Sequence, residues 1–197
     1  MFTGIIQSVG QVVFKQQVQG DFHFVIKTNF KQVSDIAIGD SIACNGVCLT
    51  VTELEYDNIS VDVSLETLSK TQVEKWKVGS GINLEKSLCL KDKLGGHMVS
   101  GHVDAVAVCV GVATSARSTV YQFKIPKELD KYIVKKGSVA LNGVSLTVNE
   151  IDNCVLSVNL IPHTLQQTNL GLLKLNDKVN IEIDTIARYV EKMVKPL

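Results

Sequence analysis

Two residues with reactive side chains occupy equivalent places in a sequence that repeats itself. Residues 45–53 read NGVCLTVTE and residues 142–150 read NGVSLTVNE, so that seven of nine positions are identical. One of the two differences sets Cys48 against Ser145. Both side chains are nucleophile types, but a thiol ionises near neutral pH far more readily than a hydroxyl. The repeat therefore predicts two similar sites with different reactivity.

Further chemical differences follow when the two copies are aligned with a shift of 97 residues. The alignment pairs Ile5 with His102, Asp62 with Asn159, and Glu66 with His163. A histidine can carry a proton near pH 7, which makes His102 a candidate proton carrier. Two pockets that are alike except for a few reactive groups suit a reaction in which two molecules of one kind play different roles.

The elements that must position these groups are β-hairpins. Asn45-Gly46 is a strong turn signal, because Asn and Gly tolerate positive φ angles. Between residues 47 and 52, apolar side chains alternate with polar ones, which is the period of a half-buried strand. Cys48 and Thr50 therefore point away from the apolar face, where a ligand could reach them.

The duplication also sets the domain organisation. It extends beyond the hairpin, since Ser60–Val63 aligns with residues 157–160 and Ile82–Glu85 aligns with residues 179–182. A unit of about 90 residues can sustain its own core. Each unit holds about six short strands separated by turn signals, which favours a small closed barrel. We expect an all-β chain with one barrel in residues 1–97, a second in 98–184, and short helices near 65–76 and 126–133.

The C-terminal segment, residues 185–197, breaks the β pattern and predicts a helix. Asp184 is a suitable N-cap, and Lys192 and Lys195 suit the negative end of the helix dipole. One face of the helix is apolar and comprises Ile186, Tyr189, Val190, Met193 and Leu197. We expect this face to pack against copies of itself in an oligomer; packing on the chain's own barrel is the alternative.

Composition excludes several classes of function. Twenty acidic side chains balance twenty basic ones, and no basic cluster suggests a nucleic-acid partner. Residues 103–113 form an apolar run that is too short to cross a bilayer. The five cysteines are odd in number and irregularly spaced, which indicates a reduced, cytoplasmic protein. Their spacing relative to the histidines is not typical of a zinc site.

Five motifs in order resemble the riboflavin synthase family of the α type. They are MFTGI at 1–5, NGVCLTVT at 45–52, GGHMVSGHVD at 95–104, NGVSLTV at 142–148 and IPHTL at 161–165. The resemblance implies two six-stranded Greek-key barrels and a homotrimer joined through the C-terminal helix. It implies dismutation of two 6,7-dimethyl-8-ribityllumazine molecules by four-carbon transfer, which yields riboflavin and 5-amino-6-(D-ribitylamino)uracil. It further implies no metal or cofactor, and association with lumazine synthase.

The resemblance also implies site residues, with each active site formed between the first barrel of one subunit and the second barrel of its neighbour. The first pocket would contain Gly4, Ile5, Ile6, Cys48, Leu49, Thr50, Asp62, Val63, Ser64, Leu65, Glu66 and Thr67. The second pocket would contain Gly101, His102, Val103, Ser145, Leu146, Thr147, Asn159, Leu160, Ile161, Pro162, His163 and Thr164, with Lys136 reaching a ligand from an adjacent chain. Positions associated with catalysis are Phe2, Ser41, Cys48, His102, Ser145, Thr147 and Asp184.

Within that scheme, His102 would help remove a proton from the C7 methyl group of the substrate. Cys48 or an activated water would add at C7 of the other molecule. His97 is expected to be a hydrogen-bonding loop residue, and His23 is expected to be solvated.

Three other functions fit a duplicated barrel. A non-catalytic antenna protein would bind lumazine or flavin on the same fold and lack the reactive groups. A flavin-dependent reductase would need a nicotinamide-binding half, and the chain has no GxGxxG sequence after a strand. An oligonucleotide-binding barrel would need a basic groove and stacking aromatics, whereas aromatic residues are only 6% of the chain.

Overall fold

The computed structural model describes residues 1–194, in which twelve strands form two closed antiparallel barrels. The first barrel has the strand order β1-β2-β5-β4-β3-β6 and comprises β1 (Ser8–Val18), β2 (Asp21–Lys27), β3 (Ser41–Cys44), β4 (Val47–Glu55), β5 (Asn58–Val63) and β6 (Gly81–Lys86). The second has the order β10-β11-β8-β7-β12-β9 and comprises β7 (Ala105–Ser115), β8 (Ser118–Lys124), β9 (Ser138–Leu141), β10 (Val144–Asp152), β11 (Val155–Leu160) and β12 (Lys178–Ile183).

Helices are short and lie outside the barrel walls. The α-helices are α1 (Leu65–Lys70), α2 (Pro162–Gln167) and α3 (Thr185–Val194), and the 3-10 helices are Val73–Lys75, Lys127–Tyr132 and Asn169–Leu172. The prediction of two six-stranded barrels followed by a C-terminal helix is confirmed. The helix expected near residue 126 is a 3-10 helix, and Pro126, with ψ 141°, stands just before it.

Each barrel encloses its own apolar core. Phe24, Ile26 and Leu84 are completely buried in the first barrel, as are Phe123 and Leu156 in the second. Bulges interrupt the strand register at equivalent places in the two copies, between residues 51 and 53 and between 148 and 150. A bulge bends its strand and increases its twist, which helps a short sheet to close on itself and leaves no unpaired edge.

The two barrels meet at their Asn-Gly turns. Both residues of each turn have positive φ angles: 46° and 79° at Asn45-Gly46, and 45° and 78° at Asn142-Gly143. These angles confirm the predicted hairpin turn. A Cβ atom added to Gly46 would lie 2.7 Å from the backbone nitrogen of Gly143, and the reverse substitution gives the same distance. Glycine is therefore required twice: for the turn and for the close approach of the barrels.

Buried asparagines connect the two turns. Asn83 donates from Nδ2 to the carbonyl of Asn142 at 3.0 Å, and Asn180 donates to the carbonyl of Asn45 at 2.9 Å. The side chain of each turn asparagine accepts a backbone N–H from its own barrel, at 2.8 Å from Asn83 and 2.9 Å from Asn180. These reciprocal bonds satisfy polar groups that the contact between the barrels removes from water.

Helix α3 begins as predicted and is held on the second barrel by polar contacts. Asp184 accepts the backbone N–H of Ile186 at 3.0 Å, which is the expected N-cap bond. Arg188 contacts Asp104 at 2.8 Å and the carbonyl of His102 at 3.2 Å. Burial raises the pKa of Asp104, although the guanidinium of Arg188 opposes that shift.

The apolar face of α3 stays open to solvent. Ile186, Tyr189, Val190 and Met193 are between 51% and 85% exposed. Lys195 and Leu197, which the sequence placed on the same helix, lie outside the described residues. The alternative in which the apolar face packs on the chain's own barrel is wrong for the four described residues, because each is at least 51% exposed, and the helix meets the second barrel through Ala187 and the polar contacts of Arg188.

Candidate functional site

Two buried glutamates hold the loops that open the two units. Glu85 accepts hydrogen bonds from the backbone N–H and the hydroxyl of Thr3, both at 2.6 Å, and from the N–H of Gly4 at 2.9 Å. Glu182 makes the same three bonds to residues 100–101, at 2.7, 2.6 and 2.9 Å. Burial raises the pKa of Glu85, and its hydrogen bonds oppose that shift. Each carboxyl group thereby fixes a loop of otherwise irregular backbone.

Each of these loops forms a backbone hydrogen bond with the hairpin of the other barrel. The carbonyl of Gly4 accepts the backbone N–H of Ser145 at 2.8 Å, and the carbonyl of Gly101 accepts that of Cys48 at 2.8 Å. A Cβ atom on Gly4 would lie 2.5 Å from the Cβ of Ser145, and one on Gly101 would lie 2.5 Å from the Cβ of Cys48. The loop and the hairpin that face each other therefore belong to different units.

Side-chain packing agrees with this exchange. Ile6 packs against the core of the second barrel, and Val103 packs against the core of the first. The pocket grouping expected from the sequence is therefore wrong in one respect: residues 4–6 lie with Ser145, and residues 101–103 lie with Cys48. The alignment of the repeats could not reveal this, because an exchange of loops between two similar barrels leaves the sequence pattern unchanged.

The first composite site combines Cys48 and Thr50 of β4, Asp62 of β5, and the loop that carries His102. Cys48 is half-buried, and the other three residues are exposed. Asp62 is not free, because its carboxylate contacts Nδ1 of His23 at 2.7 Å. His23 was expected to be merely solvated, and this expectation is wrong. The site thus combines a thiol, a hydroxyl and a carboxylate on two neighbouring strands with a loop that carries an imidazole.

The second composite site combines Ser145 and Thr147 of β10, Asn159 of β11, and the loop that carries Ile5. Ser145 is half-buried, whereas Thr147 and Asn159 are exposed. Ile5 is 48% exposed and stands where the first site has His102. This second surface therefore offers hydroxyl and amide groups beside an apolar side chain, so its chemistry differs from that of the first site.

His97 is the residue of the second site whose importance the sequence did not show. It is buried, and its Nδ1 lies 2.7 Å from the hydroxyl of Ser145. Burial lowers its pKa, against the charges of Asp184 and Glu182. The preceding residue must be glycine, because a Cβ on Gly96 would lie 2.1 Å from the carbonyl of Thr3. The same Cβ would lie 2.7 Å from the Cβ of Ser145, so the backbone beside His97 lies directly against the hairpin.

Several predicted ligand contacts can be made only by the backbone. The side chains of Leu49, Val63 and Leu160 lie in the barrel cores and are at most 5% exposed. Leu146 is half-buried against the second core. Phe2 is completely buried, in a cluster with Ala43, Val99 and Ala140 between the barrels. Ser41 begins β3 and is paired with Thr50 on β4.

The remaining predicted residues surround the two surfaces. Five of them are exposed and three are half-buried: Ser64, Leu65, Glu66, Ile161 and His163 are exposed, and Thr67, Pro162 and Thr164 are half-buried. They follow β5 and β11 and run into α1 and α2. Lys136 is exposed in a turn with φ 67°, and its backbone N–H binds the carbonyl of Val148 at 2.8 Å.

Within residues 1–194, no group of three histidine, cysteine, aspartate or glutamate side chains is arranged to hold a metal ion. Over the same residues, no helix is long and apolar enough to cross a membrane.

Comparisons with known proteins agree with this architecture. A family described as "Lumazine binding domain" matches the chain twice, at residues 3–87 and 100–184. Riboflavin synthase of Photobacterium leiognathi is 43% identical over 195 residues, covering 99% of this chain and 89% of that protein. The Bacillus subtilis riboflavin synthase is 37% identical over 194 residues, covering 98% and 90%. Crystal structures of LumP complexed with riboflavin and with 6,7-dimethyl-8-(1'-D-ribityl) lumazine have TM-scores of 0.87 and 0.84 at 26% and 25% identity, each covering 93% of this chain and 99% of that chain.

The fold and the two composite sites thus define a protein with a duplicated lumazine-binding barrel. The comparisons distinguish the enzymes of this class from its other members, because the riboflavin synthases are more similar in sequence than LumP over nearly the whole chain. The chain belongs to the riboflavin synthase family, whose members are transferase-type enzymes.

Proposed function

We propose that each composite site binds one molecule of 6,7-dimethyl-8-ribityllumazine and that the chain transfers a four-carbon unit between two such molecules. The products are riboflavin and 5-amino-6-(D-ribitylamino)uracil. The observation that carries this proposal is the exchange of loops, which gives each hairpin its own reactive environment: Cys48 with His102 at one site, and Ser145 with Ile5 at the other. Two similar binding sites with different reactive groups suit a reaction in which one heterocycle plays two roles.

The polar groups have matching tasks in this reaction. The backbone amides and the Thr50 and Thr147 hydroxyls pair with the pyrimidinedione edge, and Asp62 and Asn159 pair with ribityl hydroxyls. His102 is exposed and can remove the proton from the C7 methyl group. Cys48 or a water molecule adds at C7 of the other molecule. No cofactor is needed, because the same heterocycle supplies and accepts the four carbons.

The two sites of one reaction belong to different subunits in this proposal. Two molecules that react must lie face to face. In this proposal the first site of one chain faces the second site of a neighbour. Lys136 reaches across that contact. The exposed apolar face of α3 is the surface that joins the chains, in a homotrimer. We further propose that the units are bounded at 97/98 and 184/185. We also propose that the protein is cytoplasmic and associates with lumazine synthase.

The test is to incubate purified protein with 6,7-dimethyl-8-ribityllumazine without added cofactor or metal. We expect riboflavin absorbance to grow, with one riboflavin and one pyrimidine product for every two substrate molecules consumed. Protein treated with a chelator should turn over at the same rate. The antenna function would be favoured instead if the fluorescent ligand bound at a fixed stoichiometry and no riboflavin formed.

A further inference from the structure

Asp104 fixes the far end of the loop that carries His102. Its carboxylate accepts the backbone N–H of Ile183 at 2.9 Å, and its own backbone N–H donates to the carbonyl of Ile181 at 2.9 Å. The side chain of Asp104 is only 9% exposed. Together with the three bonds that Glu182 makes earlier in the loop, these contacts hold the backbone on both sides of His102.

The first unit makes the same two bonds with a neutral side chain. Gln7, which the repeat shift of 97 residues aligns with Asp104, accepts the backbone N–H of Lys86 at 3.0 Å. Its own backbone N–H donates to the carbonyl of Leu84 at 3.0 Å. An uncharged amide is therefore sufficient to hold this part of the loop. Because a buried carboxylate is unfavourable unless it is paired, the charge of Asp104 calls for a partner of its own.

That partner is Arg188 of helix α3. Its Nη2 atom lies 2.8 Å from Oδ1 of Asp104 and donates to the backbone carbonyl of His102 at 3.2 Å. Asp104 uses its other oxygen, Oδ2, for the backbone N–H of Ile183, so its two contacts do not compete. Within residues 1–194, the carbonyl of Ile5, at the equivalent place in the first loop, accepts no such bond from a side chain.

We propose that Arg188 is a positioning residue for His102. By bonding the carbonyl of that residue, the guanidinium fixes the backbone from which the exposed imidazole extends. The first composite site is then complete only while α3 is docked on the second barrel. The inference rests on the proposed function, because it concerns the placement of the group that removes the C7-methyl proton.

The helix and the loop are neighbours beyond this single contact. They border one cavity, which Ser100 and His102 line from the loop and which Thr185, Arg188 and Tyr189 line from the helix. A displacement of the first turns of α3 therefore reaches the loop directly. The equivalent loop of the first unit is held by Glu85 and Gln7 without a helix that follows its barrel.

Three substitutions separate this role from anchoring of the helix. Arg188→Gln removes the guanidinium, and Asp104→Asn removes its charged partner while keeping an oxygen for Ile183. Both should lower kcat about ten-fold with little change in KM. Arg188→Lys should stay within about three-fold of wild type, because both contacts come from one nitrogen and an ammonium carries three donors. Lys192→Gln removes an exposed positive charge from the same helix and should keep the wild-type kcat.

A double-mutant cycle with His102→Gln decides whether Arg188 acts through the imidazole. Arg188→Gln should lower kcat less than about two-fold when the imidazole is already absent. Equal losses in both backgrounds would overturn the proposal, because they would show that the arginine serves folding or assembly instead. A loss that follows a change of particle size in sedimentation velocity would overturn it as well, and so would wild-type kcat in Arg188→Gln.

Hydrogen exchange of the loop gives a readout that needs no turnover. In Arg188→Gln the backbone amides of residues 100–104 should exchange at least about three-fold faster than in wild type. Residues 3–7 form the equivalent loop without an arginine contact and should keep the wild-type rate. Unchanged exchange at 100–104, or equal acceleration of both loops, would refute the positioning role. Faster exchange at 100–104 alone, in a chain that fails to convert ribityllumazine, would contradict the proposed function and leave the contact of Arg188 with the loop standing.

Discussion

The backbone N–H of Cys48 donates a 2.8 Å hydrogen bond to the carbonyl of Gly101, which joins the hairpin of one barrel to the opening loop of the other. Gly4 and Ser145 repeat this relationship in the opposite direction. Neither barrel therefore contains a complete site by itself. Glu85 and Glu182 hold these loops in place through hydrogen bonds, so each site depends on a buried carboxyl group as well as on its exposed residues.

Gly101→Ala should damage the first site. The residue has φ +81°, and the new Cβ would lie 2.5 Å from the Cβ of Cys48. Strain and overlap should lower the free energy of unfolding by about 2–4 kcal/mol and displace the thiol. The matched control is Gly39→Ala, which has φ +94° but no atom within 4 Å and should cost about 1 kcal/mol. Urea unfolding measures both, and equal costs would show that the contact with Cys48 is unimportant.

Cys48→Ala should separate chemistry from folding. The side chain is half-buried at the surface of β4, so its truncation should change the free energy of unfolding by less than about 1 kcal/mol. Loss of a reacting group should lower kcat for dismutation about 100-fold. Steady-state kinetics measure the loss of turnover, and unfolding followed by circular dichroism measures the change in stability. Undiminished turnover in this variant would remove the thiol from the mechanism.

Glu85→Gln should remove a pH dependence of stability. Burial raises the pKa of Glu85 in the folded chain, so the folded state holds the proton more tightly than the unfolded state. Its contribution to stability is then greatest below the unfolded pKa of about 4.3 and declines as pH rises through the folded pKa.

The measurement is the difference in unfolding free energy between wild type and Glu85→Gln from pH 4 to pH 7. We expect this difference to move in favour of the variant as pH rises. Glu55→Gln, at an exposed position of β4, is the same substitution without burial and serves as the comparison variant. A difference that is constant with pH for Glu85→Gln would contradict the assigned cause.

Asn180→Leu should weaken the contact between the barrels. The change leaves the carbonyl of Asn45 and the backbone N–H of Gln72 without their partners, which now lie at 2.9 and 2.7 Å. Each unpaired buried group should cost about 1–3 kcal/mol, measured by denaturant unfolding. Asn149→Leu, at a half-buried position on β10, is the control and should stay within about 1 kcal/mol of wild type.

Truncation after Asp184 should lower assembly and turnover together. It removes the exposed apolar face of α3 and also Arg188, which binds the carbonyl of His102. Met193→Lys separates these effects, because Met193 is 85% exposed and the variant keeps Arg188. Sedimentation velocity should show smaller particles for both chains. If the truncated chain remained the same size at full activity, the proposed role of α3 would be wrong.

Local patterns were sufficient for most of the fold. The Asn-Gly turns, the alternation along β4 and the N-cap at Asp184 are all properties of neighbouring residues, and each was predicted correctly. The duplication predicted two barrels, because residues that repeat with one fixed shift must build the same structure twice. The reactive candidates Cys48 and Ser145 were visible for the same reason.

Only the tertiary structure decided which loop serves which hairpin, and which histidine touches Ser145. Periodicity reports which face of a strand is buried, but two homologous barrels present nearly identical surfaces, so a loop can dock on either with the same sequence. The choice depends on contacts between residues almost one hundred positions apart, such as Gly4 with Ser145 and His97 with the same hydroxyl. Long-range pairing of this kind leaves no local signal, because it is fixed by packing of the whole chain.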